Sequence, residues 1–108
     1  MNRLTAILGS PFSGSSSEKI VHLVIENLPT SDWTTHIVDL SKISSDALLL
    51  RKEDETLNSS IDYVVDSTVI IAATPTYRAT YTGLIKSFFD QLPADSLTGK
   101  LLLPIQTG

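Results

Sequence analysis

An unusual set of side chains follows an apolar run near the middle of the chain. Residues 69–73 are all aliphatic, and residues 74–78 read Thr-Pro-Thr-Tyr-Arg. This segment supplies a fixed backbone geometry, hydroxyls, an aromatic ring and a permanent cation. Because ligands of open α/β sheets bind at the carboxyl ends of strands, it is well placed to hold a planar molecule with a polar edge. The alternative is an ordinary connection whose geometry Pro75 fixes, but its position after a buried strand favours a ligand site.

A serine-rich loop is the second segment with binding chemistry. Residues 9–17 contain two glycines and five serines, and the apolar positions that follow them recur at helical spacing. Free N–H groups and the helix dipole at such a helix start attract an anion, and serine hydroxyls add donors without charge. Two interpretations stay open: a phosphate cradle, or a helix cap at Ser15 within a flexible serine loop. The loop lacks the Gly-Lys-Ser of a Walker A loop and two glycines of the dinucleotide fingerprint.

The remaining pattern predicts the elements that position these segments. Strands are predicted at residues 4–8, 35–40, 68–73 and 100–105, with Thr74 and Pro75 in a turn. Helices are predicted between them, the first beginning with a capping box from Ser15 to Glu18 and ending near Pro29. Residues 42–55 are ambiguous, and Gly83 is expected to let the helix after it pack closely on the sheet. Alternating strands and helices, with strands apolar on both faces, predict a parallel sheet covered on both sides. Residues 106–108, Gln-Thr-Gly, then end beside the same crevice.

Composition narrows the function classes. The 108 residues carry a formal charge of −4 and no cysteine, which fits one domain over residues 1–108 and excludes thiolate chemistry. The basic residues are scattered, so neither nucleic acid nor an anionic membrane is an expected partner. No apolar run approaches the ~20 residues that span a bilayer, and we expect a cytoplasmic location. His22 and His36 have no neighbours at metal-ligand spacing, so surface or packing roles are expected for them.

Three segments together resemble the NADPH-dependent FMN reductase family, particularly its alkanesulfonate-linked flavin reductase branch. They are Leu-Gly-Ser-Pro at residues 8–11 with the serines of 15–17, the stretch 73–86, and residues 99–108. The resemblance spans essentially the whole chain in order. Phe12 and Ser13 stand where members of the family often carry an arginine.

The resemblance implies a flavodoxin-like α/β fold, a doubly wound parallel sheet with strand order 2-1-3-4. A fifth strand and further helices of the family would then be missing, and we expect a C-terminally incomplete domain whose exposed apolar face promotes association. The resemblance also implies two groups of FMN contacts. The phosphate would lie on Ser10, Ser15, Ser16 and Ser17, and the isoalloxazine ring against Pro75, Thr76, Tyr77 and Arg78, with Thr107 and Gly108 close by.

The activity implied by the resemblance is reduction of FMN by NADPH or NADH. Because the cofactors carry the hydride chemistry, we assign no catalytic side chain and no metal. Arg78 is expected near the pyrimidine edge of the flavin or the nicotinamide phosphate. A flavin-dependent monooxygenase as recipient of reduced FMN, and a homodimer or homotetramer, are further implications. The alternatives are a flavin-binding electron carrier and an inactive truncated member of the family.

Overall fold

The computed structural model of the chain describes residues 2–10, 14–29, 32–49, 54–75 and 83–107. Its strands are β1 (Asn2–Leu8), β2 (Trp33–Asp39), β3 (Val69–Pro75) and β4 (Leu101–Thr107). Its α-helices are α1 (Ser16–Glu26), α2 (Ser45–Leu48), α3 (Glu55–Asp66) and α4 (Gly83–Phe89), and a short 3-10 helix covers Leu40–Lys42.

The four strands form one parallel sheet in the order β2-β1-β3-β4, as predicted. The strand bounds differ from the predicted ones by one or two residues, and the turn predicted at Thr74 and Pro75 is wrong. Both residues continue β3, because they pair in register with Gln106 and Thr107 of β4. β1 ends at Leu8, opposite Ala73, so among the strands that the structure describes Pro75 pairs with β4 alone, at a strand end where a proline is tolerated.

Each face of the sheet carries its own apolar cluster. Beneath α1, Val21 packs with side chains of β1 and β3, among them Leu4, Ala6, Ile71 and Ala73. On the other face, α2, α3 and α4 cover the sheet with a cluster whose members include Ile7, Ala47, Leu57, Val64, Ile70, Ile85 and Phe88. Residues 4–8 of β1 and 70–74 of β3 are therefore buried on both faces, as their mainly apolar sequences indicate.

The outer strand β4 is much less covered. Its leucines Leu101, Leu102 and Leu103 are 66%, 43% and 44% exposed. The register places Leu101 and Leu103 on the α1 face of the sheet, beside Val69 and Ile71. The prediction that helices cover both faces of the sheet is therefore wrong for β4, within the part of the chain that the structure describes.

Helix ends follow local chemistry that the sequence partly predicts. Ser15 caps α1 by accepting the Glu18 N–H, and Asp54 caps α3 by accepting the Leu57 N–H at 2.9 Å. At the other end of α3, Lys100 Nζ donates to the carbonyls of Val65 and Ser67 at 2.7 and 2.6 Å, where the helix dipole favours a cation.

Two helical segments differ from expectation. Gly83 begins α4, but it is exposed and a Cβ there would meet no atom within 4 Å, so the predicted close packing is wrong. The ambiguous stretch after β2 contains the 3-10 helix and α2, and residues 50–53 lie outside the described part. The four-residue α2 is held by Gln91, whose Nε2 donates to the Ala47 and Leu48 carbonyls at 3.0 and 2.7 Å.

Candidate flavin site at the carboxyl edge of the sheet

The carboxyl ends of β1 and β3 meet where the chain changes direction across the sheet. From β1 the chain crosses to β2 on one side, and it later returns to form β3 on the other. Such a switch point opens a crevice at the carboxyl edge of an α/β sheet. Here the Gly9 N–H donates to the Ala73 carbonyl at 2.7 Å, which extends the contact between the strands to the edge. Ser10 follows at once and is only 5% exposed.

The start of α1 faces the same end of the molecule. Gly14 adopts φ +75°, a conformation that suits glycine, and the chain then enters α1 through Ser15. The Ser15 hydroxyl accepts the Glu18 N–H at 3.2 Å and lies 3.2 Å from the hydroxyl of the buried Ser17. The first turn therefore offers serine hydroxyls together with the positive end of a helix of 11 residues.

On the other side of the edge, Pro75 and Thr107 are partners in the β3–β4 register, and both are partly exposed. Thr74, next to Pro75, is buried and its hydroxyl donates to the Pro75 carbonyl at 3.1 Å. A ring placed against Pro75 would therefore have Thr107 of the adjacent strand within the same surface.

The structure brings part of the predicted site together. Ser10, Ser15, Ser16 and Ser17 lie at the β1–α1 connection, and Pro75 and Thr107 lie at the ends of the next two strands. The four serines supply hydroxyls at the start of a helix, and these are the donors that a phosphate contact requires. Thr76, Tyr77, Arg78 and Gly108 lie outside the described residues. The role of all ten as flavin contacts stays a prediction.

One functional group at the helix start was not predicted in its observed place. The expected capping box would join Glu18 to the Ser15 N–H, but Glu18 Oε2 instead accepts the Gly14 N–H at 2.8 Å. The serine-to-glutamate spacing signals a carboxylate near the helix start. Its actual partner depends on the turn at Gly14, which sequence spacing does not specify.

Beside this region, a cleft of about 400 Å³ lies at the end of β2. Its lining includes Leu8, Glu18, His22, His36, Asp39 and Lys42. Asp39 Oδ1 accepts both the N–H and the hydroxyl of Ser41, at 3.0 and 2.7 Å, so this carboxylate caps the 3-10 helix. Among the described residues, no group of three His, Cys, Asp or Glu side chains is arranged to hold a metal ion.

His36 has the packing role expected for it. Its ring stacks on Tyr63 of α3, with ring centroids 3.5 Å apart and planes 19° from parallel. Partial burial lowers the pKa of His36 below its ordinary value, because desolvation disfavours the charged imidazolium. His22 is exposed on α1.

Comparison with known proteins gives the family. Residues 2–108 match the family model described as NADPH-dependent FMN reductase. The chain is 31% identical over 107 residues to an FMN reductase (NADPH) of Escherichia coli strain K12, and 27% identical over 112 residues to the NADH-dependent FMN reductase SfnF of Pseudomonas putida. Each alignment covers 98% of the chain, which spans 56% and 60% of the length of these two relatives.

A solved structure agrees with these relatives. The apo form of the NADH:FMN oxidoreductase EMOB superposes with a TM-score of 0.85 at 31% identity, covering 98% of this chain and 58% of that one. The strand order and this likeness define a flavodoxin-like α/β protein. The chain belongs to the NADPH-dependent FMN reductase family.

Within the described residues, none of the helices has the length and apolar character needed to span a bilayer.

Proposed function

We propose that this chain binds FMN at the carboxyl edge of its sheet and takes part in reduction of that flavin by NADPH or NADH. The observation that carries the proposal is the meeting of the serine-bearing β1–α1 connection with the ends of β3 and β4 at one edge, in a chain of this family. Residues 1–108 would then form the FMN-binding domain of the reductase.

The residues present fit a flavin phosphate. Ser10 is buried at the end of β1, and Ser15 and Ser16 stand at the positive end of α1. An anion there would meet hydroxyl and backbone donors, and the helix dipole would favour its charge. We assign the phosphate to these serines together with Ser17, whose hydroxyl is hydrogen-bonded to the Ser15 hydroxyl.

The ring would lie farther along the edge. We assign its contacts to Pro75 and Thr107 and, as the family resemblance implies, to Thr76, Tyr77, Arg78 and Gly108. Bound FMN supplies the hydride-accepting chemistry, and the chain's contribution is to hold the flavin and nicotinamide rings face to face. No side chain of the chain is assigned as an acid or base.

Three further proposals rest on the same family membership. Reduced FMN would pass to a flavin-dependent monooxygenase, since a reductase that releases its product needs an acceptor. The protein would act as a homodimer or homotetramer, and in the cytoplasm, where nicotinamide cofactors are reduced again by metabolism.

The direct test mixes the purified chain with FMN and NADPH while flavin fluorescence and nicotinamide absorbance are followed together. Flavin quenching with NADPH oxidation supports the proposal. Quenching without oxidation supports an electron carrier, and absence of both contradicts flavin binding by this chain. Ser10→Ala is expected to weaken FMN binding by about tenfold or more, as for loss of one hydrogen bond to a charged group. Ser59→Ala, an exposed serine of α3, is the matched control.

A further inference from the structure

The chain places one of its own anions at the start of α1. Glu18 Oε2 accepts the Gly14 N–H at 2.8 Å, while the Glu18 backbone N–H is taken by the Ser15 hydroxyl at 3.2 Å. A backbone N–H immediately before the helix therefore already donates to a carboxylate of the chain itself. It also lies at the positive end of α1, where acidic side chains are stabilised.

The loop before α1 and the first residues of the helix, up to Glu18, carry no cation. Residues 9–18 contain Glu18 and no lysine or arginine, and the next residue, Lys19, is exposed on α1. The serine hydroxyls of the loop are neutral donors. A phosphate carrying about −1.5 to −2 charges at neutral pH that approached these donors would therefore meet a like charge already bound there.

We propose that Glu18 is a specificity-determining residue that lowers the chain's preference for phosphorylated over unphosphorylated flavins. This inference rests on the proposed function, because it concerns the phosphate end of the same FMN site. The carboxylate competes with the flavin phosphate for the donors at the start of α1 and repels its charge. The isoalloxazine ring, which we assign to the ends of β3 and β4, would lie away from Glu18, so its own contacts are expected to be unaffected.

The test compares FMN with riboflavin, which has the same ring and no phosphate. Glu18→Gln keeps an oxygen that can accept the Gly14 N–H but removes the charge. The variant is expected to bind FMN about fivefold more tightly than the unchanged chain, a modest effect because the site is open to solvent and the Coulomb term is partly screened. Riboflavin affinity is expected to stay within about twofold, and the FMN gain should shrink as salt is raised.

Glu26→Gln is the matched control. Glu26 is an exposed residue at the last position of α1, so this variant has the same chemical change and the same net charge at the opposite end of the helix. It is expected to leave the affinities for FMN and riboflavin unchanged. A similar gain in Glu26→Gln would overturn the inference, because it would show a general charge effect.

The remaining outcomes separate this inference from the proposed function. Equal FMN affinity in Glu18→Gln and the unchanged chain, or equal gains for both flavins, overturns the role of Glu18 and leaves the proposed function standing. If no flavin binds to either chain, the proposed function fails. Inorganic phosphate then decides: the Gly14 amide resonance must respond at lower phosphate concentration in Glu18→Gln than in the unchanged chain, and an equal or absent response overturns the inference.

Discussion

At the scale of single residues, buried hydroxyls join α3 to the centre of the sheet. Thr5 of β1 is 1% exposed, and its Oγ1 lies 2.6 Å from Ser67 Oγ and 3.2 Å from the Tyr63 carbonyl oxygen. Ser67 Oγ donates to that carbonyl at 2.7 Å, which leaves the single hydroxyl proton of Thr5 for Ser67 Oγ. This pair of hydroxyls thus satisfies a carbonyl in the last turn of α3 that the helix itself leaves without a partner.

Replacing Thr5 by valine is expected to destabilise the fold by about 1–2 kcal/mol, because the shape is kept while a buried hydrogen-bonding group is lost. Chemical denaturation measures the change. Thr35→Val, at an exposed position of β2, is the control and should remain within about 0.5 kcal/mol of the unchanged chain. Equal stabilities of Thr5→Val and Thr35→Val would contradict the role given to the buried hydroxyl.

Some of the contacts at the start of α1 could be predicted from the sequence, and others could not. Serine and glycine types predict the cap at Ser15 and the donors around it, because capping depends on neighbours in the chain. The pairing of Glu18 with Gly14 depends on the backbone of the preceding turn and was not predicted.

At the scale of elements, β2 and α3 are joined by the stacked rings of His36 and Tyr63. The pKa of His36 is lowered in the fold by desolvation, so the folded chain binds a proton there less readily than the unfolded chain. Acid therefore favours unfolding. The stability of the fold with uncharged His36 is fully retained above the ordinary histidine pKa of about 6.5. It decreases as the pH falls from that value to the lowered pKa of the folded state.

His36→Gln is expected to flatten the pH dependence of unfolding just below about pH 6.5, since the titrating group is removed. His22→Gln, which removes the exposed histidine of α1, should leave the slope as it is in the unchanged chain. Denaturation midpoints at a series of pH values measure both. A slope that survives in His36→Gln, or disappears in His22→Gln, would contradict this account.

The elements also show which parts of the fold the sequence predicts. Apolar runs identify β1 and β3 and their parallel arrangement, because strands buried on both faces need no alternation. The end of β3 was misplaced since its extension through Thr74 and Pro75 is set by pairing with residues 106 and 107, distant in the chain. Similarly, α2 is short and depends on Gln91 from beyond α4, so no local periodicity could predict it.

At the scale of the whole molecule, exposed leucines on β4 form an apolar surface next to a groove. The groove, about 340 Å³ between α4 and β4, is lined mainly by apolar side chains, including Ile85, Phe89, Leu102 and Pro104. Leu101 and Leu103 lie on the opposite face of the same strand and are exposed. Exposed apolar surface on both faces of an outer strand favours association.

Replacing both Leu101 and Leu103 by lysine is expected to reduce self-association, because two charges would have to be desolvated in any contact through this face. Sedimentation velocity over a range of concentrations measures the effect. Leu23→Lys is the control, since Leu23 is also exposed, at 60%, but lies on α1. Unchanged association in the β4 variant would show that this face is not the contact.

We propose above all that FMN binds at the carboxyl edge of the sheet, with its phosphate at the start of α1. Titration of the isotopically labelled chain with FMN, followed by amide chemical shifts, tests it most directly. We expect the largest shifts at Gly9, Ser10, Gly14, Ser16 and Thr107, and little change at Arg3 and Leu101 near the opposite edge. Shifts centred on the amino-terminal edge, or on the groove between α4 and β4 without the serine loop, would contradict it.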